Sequence, residues 1–313
     1  MRLYKKAAAC LLTAAMAISM LTACGGGGGS SGGNTPSTLP DPEQNVLPDP
    51  GEGGEGGGEG GGEGTETKPT KIPIIDVNSS KLVQFYKKYE GSTEFYVETL
   101  VEDYDQSGTA QESGTMIYVR KDSNYYIKQS MKAEVEMLIC KEDDRWNEYL
   151  LLRNSKVALN MYSTSSDPDL SLGSVIVNTL PTQMWSTKVK VGATEYYAEV
   201  YQKLYAGYEY IVCFAANGDP VYQFTRELDT ARFISIEVYK SIQPGVSKDL
   251  CTMPRDFNAN YRLDGSTLYG ADGKTYTLVI RSISPKDYTV TDQNGEDVTK
   301  DFEWVDELLS KPV

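Results

Sequence analysis

Apolar and polar residues alternate with a period of two, broken by short polar turns, through most of the chain after residue 94. Phe95, Val97, Thr99 and Val101 fall on one face of such a run. Each run ends in a turn rich in Asn, Asp or Ser, whose side chains bond the local backbone. A parallel sheet needs helical crossovers of a dozen or more residues, and none fits between the successive runs of a meander. The pattern therefore predicts antiparallel meanders in a mainly β (α+β) chain.

Two meanders are predicted, with other elements before, between and after them. The predicted runs are 95–104, 116–120, 125–131, 134–140, 146–152 and 156–162, then 187–191, 195–203, 208–215, 221–226 and 232–242. Between the meanders, residues 170–185 have the apolar spacing of a short helix or an apolar lid. Residues 78–80 are predicted to cap a helix that precedes the first meander. A small hairpin, 275–283 with 288–291, and a short helix, 301–309, are predicted to follow the second meander.

The N-terminus has the layout of a secretory signal. A basic start is followed by the apolar run Ala7 to Met20 and then by Leu21-Thr22-Ala23-Cys24. This segment resembles the lipobox of bacterial lipoproteins. The resemblance implies that residues 1–23 are removed and that Cys24 becomes the first residue, carrying diacylglyceryl and often amide-linked, palmitate-type acyl chains. The alternative, a membrane-spanning helix, is disfavoured because the apolar run is short and no stop-transfer charges follow it.

Residues 24–70 are almost wholly Gly, Ser, Pro, Glu, Asp and Thr. A segment with so little to bury cannot offset its chain entropy, so we predict a disordered tether. A Gly-rich coil of this length has a root-mean-square reach of roughly 35–40 Å. That reach would hold a folded domain clear of the membrane, and it favours the thick wall of a Gram-positive cell surface. The alternative is that the Gly/Glu run 51–64 is itself a binding site, although charge runs are usually just solvated.

The order of helix, long meander, linking apolar segment and second meander resembles the LolA-like and LppX-type lipoproteins. The local phrases that carry the resemblance are Gly114-Thr115-Met116-Ile117-Tyr118-Val119-Arg120-Lys121, Asn124-Tyr125-Tyr126-Ile127, Glu195-Tyr196-Tyr197-Ala198-Glu199 and Ala216-Asn217-Gly218-Asp219-Pro220-Val221-Tyr222. The resemblance covers residues 71–257 and leaves 258–313 as a C-terminal extension. It implies a curved antiparallel half-barrel with one or a few short helices against its concave face. In those carriers, the cavity holds acyl chains.

An apolar face for such a cavity can be drawn from two strands of the first meander. The candidate ligand-binding residues are Val135, Met137, Ile139, Val157, Leu159 and Met161. Methionine is adaptable and suits acyl tails of variable shape. The predicted function is therefore non-catalytic binding or carriage of a lipid, an acyl chain or another apolar ligand outside the cytoplasm. The equally weighted alternative is that helices fill this face completely.

Composition argues against several other classes of function. The formal net charge is −14, which disfavours nucleic acid as a partner, and the chain has no histidine. The commonest general base and the commonest transition-metal ligand are therefore missing, and no catalytic or nucleotide-binding motif is present. We predict no enzyme activity, no cofactor and no metal site. The second candidate function is a cell-envelope interaction or sensor module that binds a protein or a glycan.

Three weaker signals remain. Among Cys140, Cys213 and Cys251 one disulfide can form, although small buried thiols are the favoured interpretation. Tyrosines cluster in the strands (Tyr125, Tyr126, Tyr196, Tyr197, Tyr201, Tyr205, Tyr208 and Tyr210) and fit either a sugar-stacking surface or, preferably, half-buried strand positions. Two acidic turns, 103–108 and 292–297, resemble the openings of calcium loops but lack the required Glu, so hairpin turns are the favoured interpretation.

Overall fold

The structure, a computed structural model, describes residues 71–74, 76–90, 94–105, 107–131, 133–165, 183–203, 207–245 and 249–311. The predicted signal, Cys24, the predicted tether and residues 170–182 lie outside the described residues. Gln183–Trp185, which the sequence assigned to a helix or lid, begin a strand instead.

One sheet of 16 strands contains almost all of the described residues. The first meander comprises β2 (Glu94–Tyr104), β3 (Ala110–Lys121), β4 (Asn124–Ser130), β5 (Glu134–Glu142), β6 (Arg145–Leu152) and β7 (Val157–Thr164). The second comprises β8 (Gln183–Val191), β9 (Thr194–Lys203), β10 (Tyr208–Phe214), β11 (Pro220–Glu227) and β12 (Phe233–Gln243). Strand β12 pairs antiparallel with β2 and joins the meanders, while β1 (Ile72–Pro73) pairs with β8 at the edge. The prediction of a mainly β, antiparallel chain is confirmed.

The sheet is curved, and one face is concave. Tyr208 on β10 and Leu278, far along the sheet in the C-terminal extension, belong to the same buried cluster as Phe95 in the middle. Strands this far apart in the sheet share a core only when the sheet bends around it. We call this face the inner face. The arrangement is the open, curved sheet expected of a half-barrel with short helices against its hollow side.

Helix α1 (Lys81–Glu90) lies on the inner face, where Leu82, Val83 and Phe85 join the core. A fully buried carboxylate, Glu199 on β9, holds its first turn. The backbone amides of Lys81 and Leu82 donate to Glu199 at 2.8 and 3.3 Å, and the Ser80 hydroxyl donates to it at 2.9 Å. An acceptor at this end satisfies amides that have no partner within the helix and complements the helix dipole. Ser80 also accepts from the amide of residue 83, as the predicted cap requires.

The C-terminal extension continues the same sheet. The sequence predicted one hairpin and one short helix there. The structure has strands β13 (Asn258–Asp264), β14 (Thr267–Tyr269), β15 (Thr275–Ile283) and β16 (Lys286–Thr291), a 3-10 turn at Thr299–Phe302, and helix α2 (Val305–Leu308). Among the described strands, three pairs join strands that are not neighbours in sequence: β1 with β8, β12 with β2, and β13 with β7. The β13–β7 pair is the parallel one, and it departs from the antiparallel expectation. The whole second meander separates these two strands in sequence, so it serves as the long crossover that a parallel pair needs.

The opposite, outer face is apolar as well. Below the first meander, Leu138, Leu151 and Ala158 are buried together with Cys251 from the segment that leads into β13. Below the second, residues including Val200, Ile211 and Phe224 form a separate buried cluster. A sheet that is apolar on both faces explains why several strands, such as β10, are buried along their whole length.

Candidate functional site

All six residues of the predicted ligand-binding set lie on the inner face. Val135, Met137 and Ile139 project from β5, and Val157 and Leu159 from β7; these five are less than 9% exposed. Met161 is half-buried against the same cluster. The sequence therefore placed these side chains on one shared face of two strands that are separated in the sheet by β6.

The protein's own C-terminal segment packs into one end of this face. Phe302, Trp304 and Val305 belong to the cluster that contains the six residues. Glu307 accepts hydrogen bonds from the backbone amide and hydroxyl of Ser155, in the β6–β7 turn, at 2.9 and 2.8 Å. Lys311 donates to the carbonyl of Glu134 at 2.8 Å. These contacts fix α2 over the end of the inner face where Val135 and Val157 lie.

The other end of the same strands has a different character. The β6–β7 register shifts between Glu148 and Tyr149, and Glu148 pairs with Tyr162 on β7. On its other side, Glu148 pairs with Ile139 on β5. Paired residues share a face of the sheet, so Glu148 and Tyr162 project to the inner face with Ile139. Tyr162 is 54% exposed although it lies beside a buried core. The inner face thus runs from a filled end at α2 to an end where a tyrosine ring meets solvent. We call the second end, formed by Trp146, Glu148, Met161 and Tyr162, the open end.

Glu148 is the chemically unusual residue of the open end. It is 6% exposed, and none of the hydrogen bonds and ion pairs found among the described residues involves its carboxylate. Burial alone raises its pKa from 4.5 to about 7, since desolvation disfavours the charged form. The Nε1 atom of Trp146, two residues earlier, is a buried donor that has no acceptor among the described residues. An acceptor and a donor that no described residue pairs with therefore project from the same strand to the same face.

Sequence reasoning missed both residues, although the strand pattern contains the signal. Trp146, Glu148, Leu150 and Leu152 alternate with Asn147, Tyr149 and Leu151. An acid at an apolar position of an alternating strand is costly unless it is paired or neutral. That irregularity marks Glu148 as a residue that needs a partner.

A second set of polar residues lies on the inner face under the second meander. Glu237 on β12 is buried beside Gln223, whose amide donates to it at 3.4 Å. Desolvation, with a smaller contribution from the Asp103 charge, raises the pKa of Glu237 to about 8. These polar residues lie next to the β12–β2 junction, whereas Tyr208, Tyr210 and Val212, further along the same side of the inner face, belong to the apolar cluster.

The weaker sequence signals can be assessed directly. Cys140, Cys213 and Cys251 are buried free thiols, and burial raises each pKa to about 12, so the favoured interpretation is confirmed and no disulfide joins them. Most of the clustered tyrosines belong to the cores rather than to an exposed row; the buried ones are Tyr125, Tyr126, Tyr201, Tyr208 and Tyr210. Tyr205 lies outside the described residues.

The two acidic turns are hairpin turns, as favoured. Asp105 accepts from the Ser107 hydroxyl at 2.6 Å and from the backbone amides of Ser107 and Thr109 at 2.8 and 3.0 Å, and these bonds lower its pKa. Asp292 accepts in the same way from the amides of residues 294 and 296 at 2.8 Å. Their carboxylates organise the local backbone, which is the usual role of Asp in turns.

In the ranges that the structure describes, no three acidic or cysteine side chains are arranged to hold a metal ion. Within those ranges, too, no helix has the length and apolar character to cross a bilayer.

Comparisons with known proteins place the chain only loosely. No family model matches it, and no curated protein matches it. An uncharacterized conserved protein from Thermus thermophilus is similar in structure, with 10% identity and a TM-score of 0.34 over 58% of this chain and 97% of that one. A DUF1329 family protein from Desulfovibrio piger shares 8% identity, with a TM-score of 0.28 over 56% and 95% of the two chains.

A third similar structure is a putative outer membrane lipoprotein-sorting protein domain from Vibrio parahaemolyticus. It shares 9% identity, with a TM-score of 0.20 over 74% of this chain and 97% of that one. At these scores the similarities assign neither a family nor an activity. The class of protein is therefore defined by the fold itself, an open, curved, mostly antiparallel sheet with short helices in its hollow.

Proposed function

We propose that this chain is an extracytoplasmic lipoprotein, anchored to the membrane through Cys24, that binds one apolar ligand without catalysis at the open end of its inner face. The observation that carries the proposal is the contrast between the two ends of strands β5–β7. One end is occupied by α2, and at the other Tyr162 is 54% exposed beside a buried apolar face.

The residues around the open end suit an apolar chain. Met161 is half-buried, and a thioether side chain adapts to ligands of variable shape. Trp146 presents a large ring, and the Lys141 ammonium lies over one face of it, with Nζ 4.6 Å from the ring centroid. Clefts of this composition, apolar with a few polar groups, are typical of small-molecule binding sites.

The role of the anchor follows from the sequence. Two or three acyl chains each contribute about 0.8 kcal/mol per buried methylene, which is enough for stable attachment. The composition of residues 24–70 predicts a tether that would give the domain reach without fixing its orientation. Metabolic labelling with palmitate tests this arrangement. The wild-type protein should incorporate label and partition with membranes, and Cys24→Ala should do neither. A labelled Cys24→Ala protein would contradict the anchor.

Ligand binding is tested on the mature chain, residues 24–313, carrying Cys24→Ser so that no acyl group is attached. Native mass spectrometry after detergent-free purification should show a co-purifying species with an aliphatic chain, and added 1-dodecanol should bind. A clean apo mass, together with capture of a specific envelope protein or glycan, would instead support the interaction-module alternative.

Two methionines provide a matched pair of variants. Met161→Asp puts a charge at the open end and should weaken dodecanol binding tenfold or more. Met253→Asp puts the same charge on an equally half-buried methionine of the outer face and should leave binding unchanged. Equal affinities for the two variants would refute the proposed location of the site.

A further inference from the structure

We propose that Glu148 and Trp146 form a polar subsite that selects apolar ligands ending in a hydroxyl group. The inference rests on the proposed function and specifies the chemistry of its ligand. The hydroxyl would donate its proton to the Glu148 carboxylate and accept the Nε1 proton of Trp146, while its alkyl chain lies along the apolar inner face.

The placement of the two residues supports a shared ligand. They are two positions apart on β6, so their side chains project to the same face, and same-face neighbours on a strand are roughly 6–7 Å apart. A single oxygen between them can reach both groups. Ile139, which pairs with Glu148, continues the face on the apolar side, and Tyr162 borders it on the exposed side.

The hydrogen-bonding state of the two groups is the second, independent observation. Glu148 is more than nine-tenths buried, and none of the hydrogen bonds found among the described residues is donated to it. Trp146 Nε1 is buried and has no acceptor in the same part of the chain. A buried polar group without a partner costs free energy, so two such groups side by side are expected to have one common partner.

The complementarity of the two groups defines the ligand class. One is an acceptor and the other is a donor. A hydroxyl satisfies both at once. A fatty-acid carboxylate could accept from Trp146 and lie near the Lys141 ammonium, but it has no proton to donate to Glu148 and would bring a second negative charge beside it. An ammonium would leave the Trp146 donor unsatisfied, and a quaternary ammonium could satisfy neither group by hydrogen bonding.

The test compares 1-dodecanol with its methyl ether, 1-methoxydodecane, on the mature chain carrying Cys24→Ser. Both probes have the same chain and both accept a hydrogen bond, but only the alcohol donates one. At pH 8.5, where the Glu148 carboxyl with its pKa of about 7 is ionised, wild type should bind the alcohol roughly tenfold more tightly, as expected for a hydrogen bond to a charged group. Glu148→Leu should reduce this ratio to about one. Trp146→Phe should weaken the binding of both probes severalfold.

Trp185→Phe is the matched control. Trp185 Nε1 is also a buried donor without a partner, but it belongs to the outer-face cluster. This variant should bind both probes as wild type does, so a loss equal to that of Trp146→Phe would overturn the proposal. If Glu148→Leu does not fold, the comparison of Trp146→Phe with Trp185→Phe still tests whether the ligand binds beside Trp146.

The outcomes separate this inference from the function on which it rests. If neither probe binds wild type, the proposed function fails. If both bind equally and Glu148→Leu changes nothing, ligand binding stands and the hydroxyl-selective subsite is wrong.

Discussion

Replacing Glu148 with Gln should change how the stability of this protein depends on pH. The native carboxyl has a pKa of about 7, whereas its ordinary value is 4.5. Between these two values the native state binds more protons than the unfolded state. The free energy of unfolding therefore falls as pH rises through this window and levels off above pH 7. Below pH 4.5, where both states are protonated, Glu148 has no effect of this kind.

The size of the effect follows from the shift. Each pKa unit corresponds to about 1.4 kcal/mol, so ionised Glu148 costs at most roughly 3 kcal/mol at pH 8. Gln has the same shape and stays neutral, although its amide is also buried without a partner. We therefore expect Glu148→Gln to be more stable than wild type by about 1–3 kcal/mol at pH 8 and nearly equal to it at pH 4.5.

Urea unfolding at a series of pH values between 4.5 and 8.5 measures this difference. Glu195→Gln is the control, because it removes the same charge from an exposed position, and its curve should run parallel to that of wild type. The Glu148→Gln variant should still lose some stability as pH rises, because the pKa of the buried Glu237 is also raised, to about 8. Parallel curves for wild type and Glu148→Gln would refute the reasoning, because they would mean that Glu148 is not buried as a lone acid.

Three further predictions concern the scaffold. Glu199→Gln should lower the free energy of unfolding by roughly 2–4 kcal/mol, because a buried acceptor of several hydrogen bonds at the start of α1 is replaced by a group that must also donate. The control Glu195→Gln, on the same strand, should lower it by less than about 1 kcal/mol, and equal losses would contradict this role of Glu199. In a urea titration, Arg226→Leu should lower the free energy of unfolding by about 3–5 kcal/mol, because it leaves Glu209 buried without its ion-pair partner at 2.6 Å. Removal of the exposed Lys188 side chain, the control, should lower it by at most about 1 kcal/mol. The three buried thiols should react with Ellman's reagent only after denaturation, and rapid labelling of the native protein would show that their clusters open.

The strand content was predictable because alternation is a local property. Residues 134–140 and 146–152 alternate by themselves, and their turns have Asn and Asp where the backbone needs them. At Asn217-Gly218, the predicted hairpin turn, glycine adopts a positive φ of 85°, which other residues rarely take up. The helix cap at Ser80 was likewise visible in the sequence.

The candidate site was predictable only in part. The face that contains Met137 and Leu159 follows from alternation, but the bulge that pairs Glu148 with Tyr162 does not, because a register shift depends on how two strands meet. The sequence also did not show that 258–264 would pair parallel with 157–164, a contact between segments nearly one hundred residues apart. Nor did it show that Glu307 would fasten α2 to the β6–β7 turn.

The amino-acid sequence by itself determined that this chain forms antiparallel strands, and it predicts where the chain would be anchored, because period-two patterns, turn residues and signal segments act over a few neighbouring positions. Only the tertiary structure decided which end of the inner face α2 fills and which end leaves Glu148 and Trp146 without partners. The physical reason is that burial and hydrogen-bond satisfaction depend on all the surfaces that meet at a point, and here those surfaces come from β5, β6, β7 and the distant C-terminal extension.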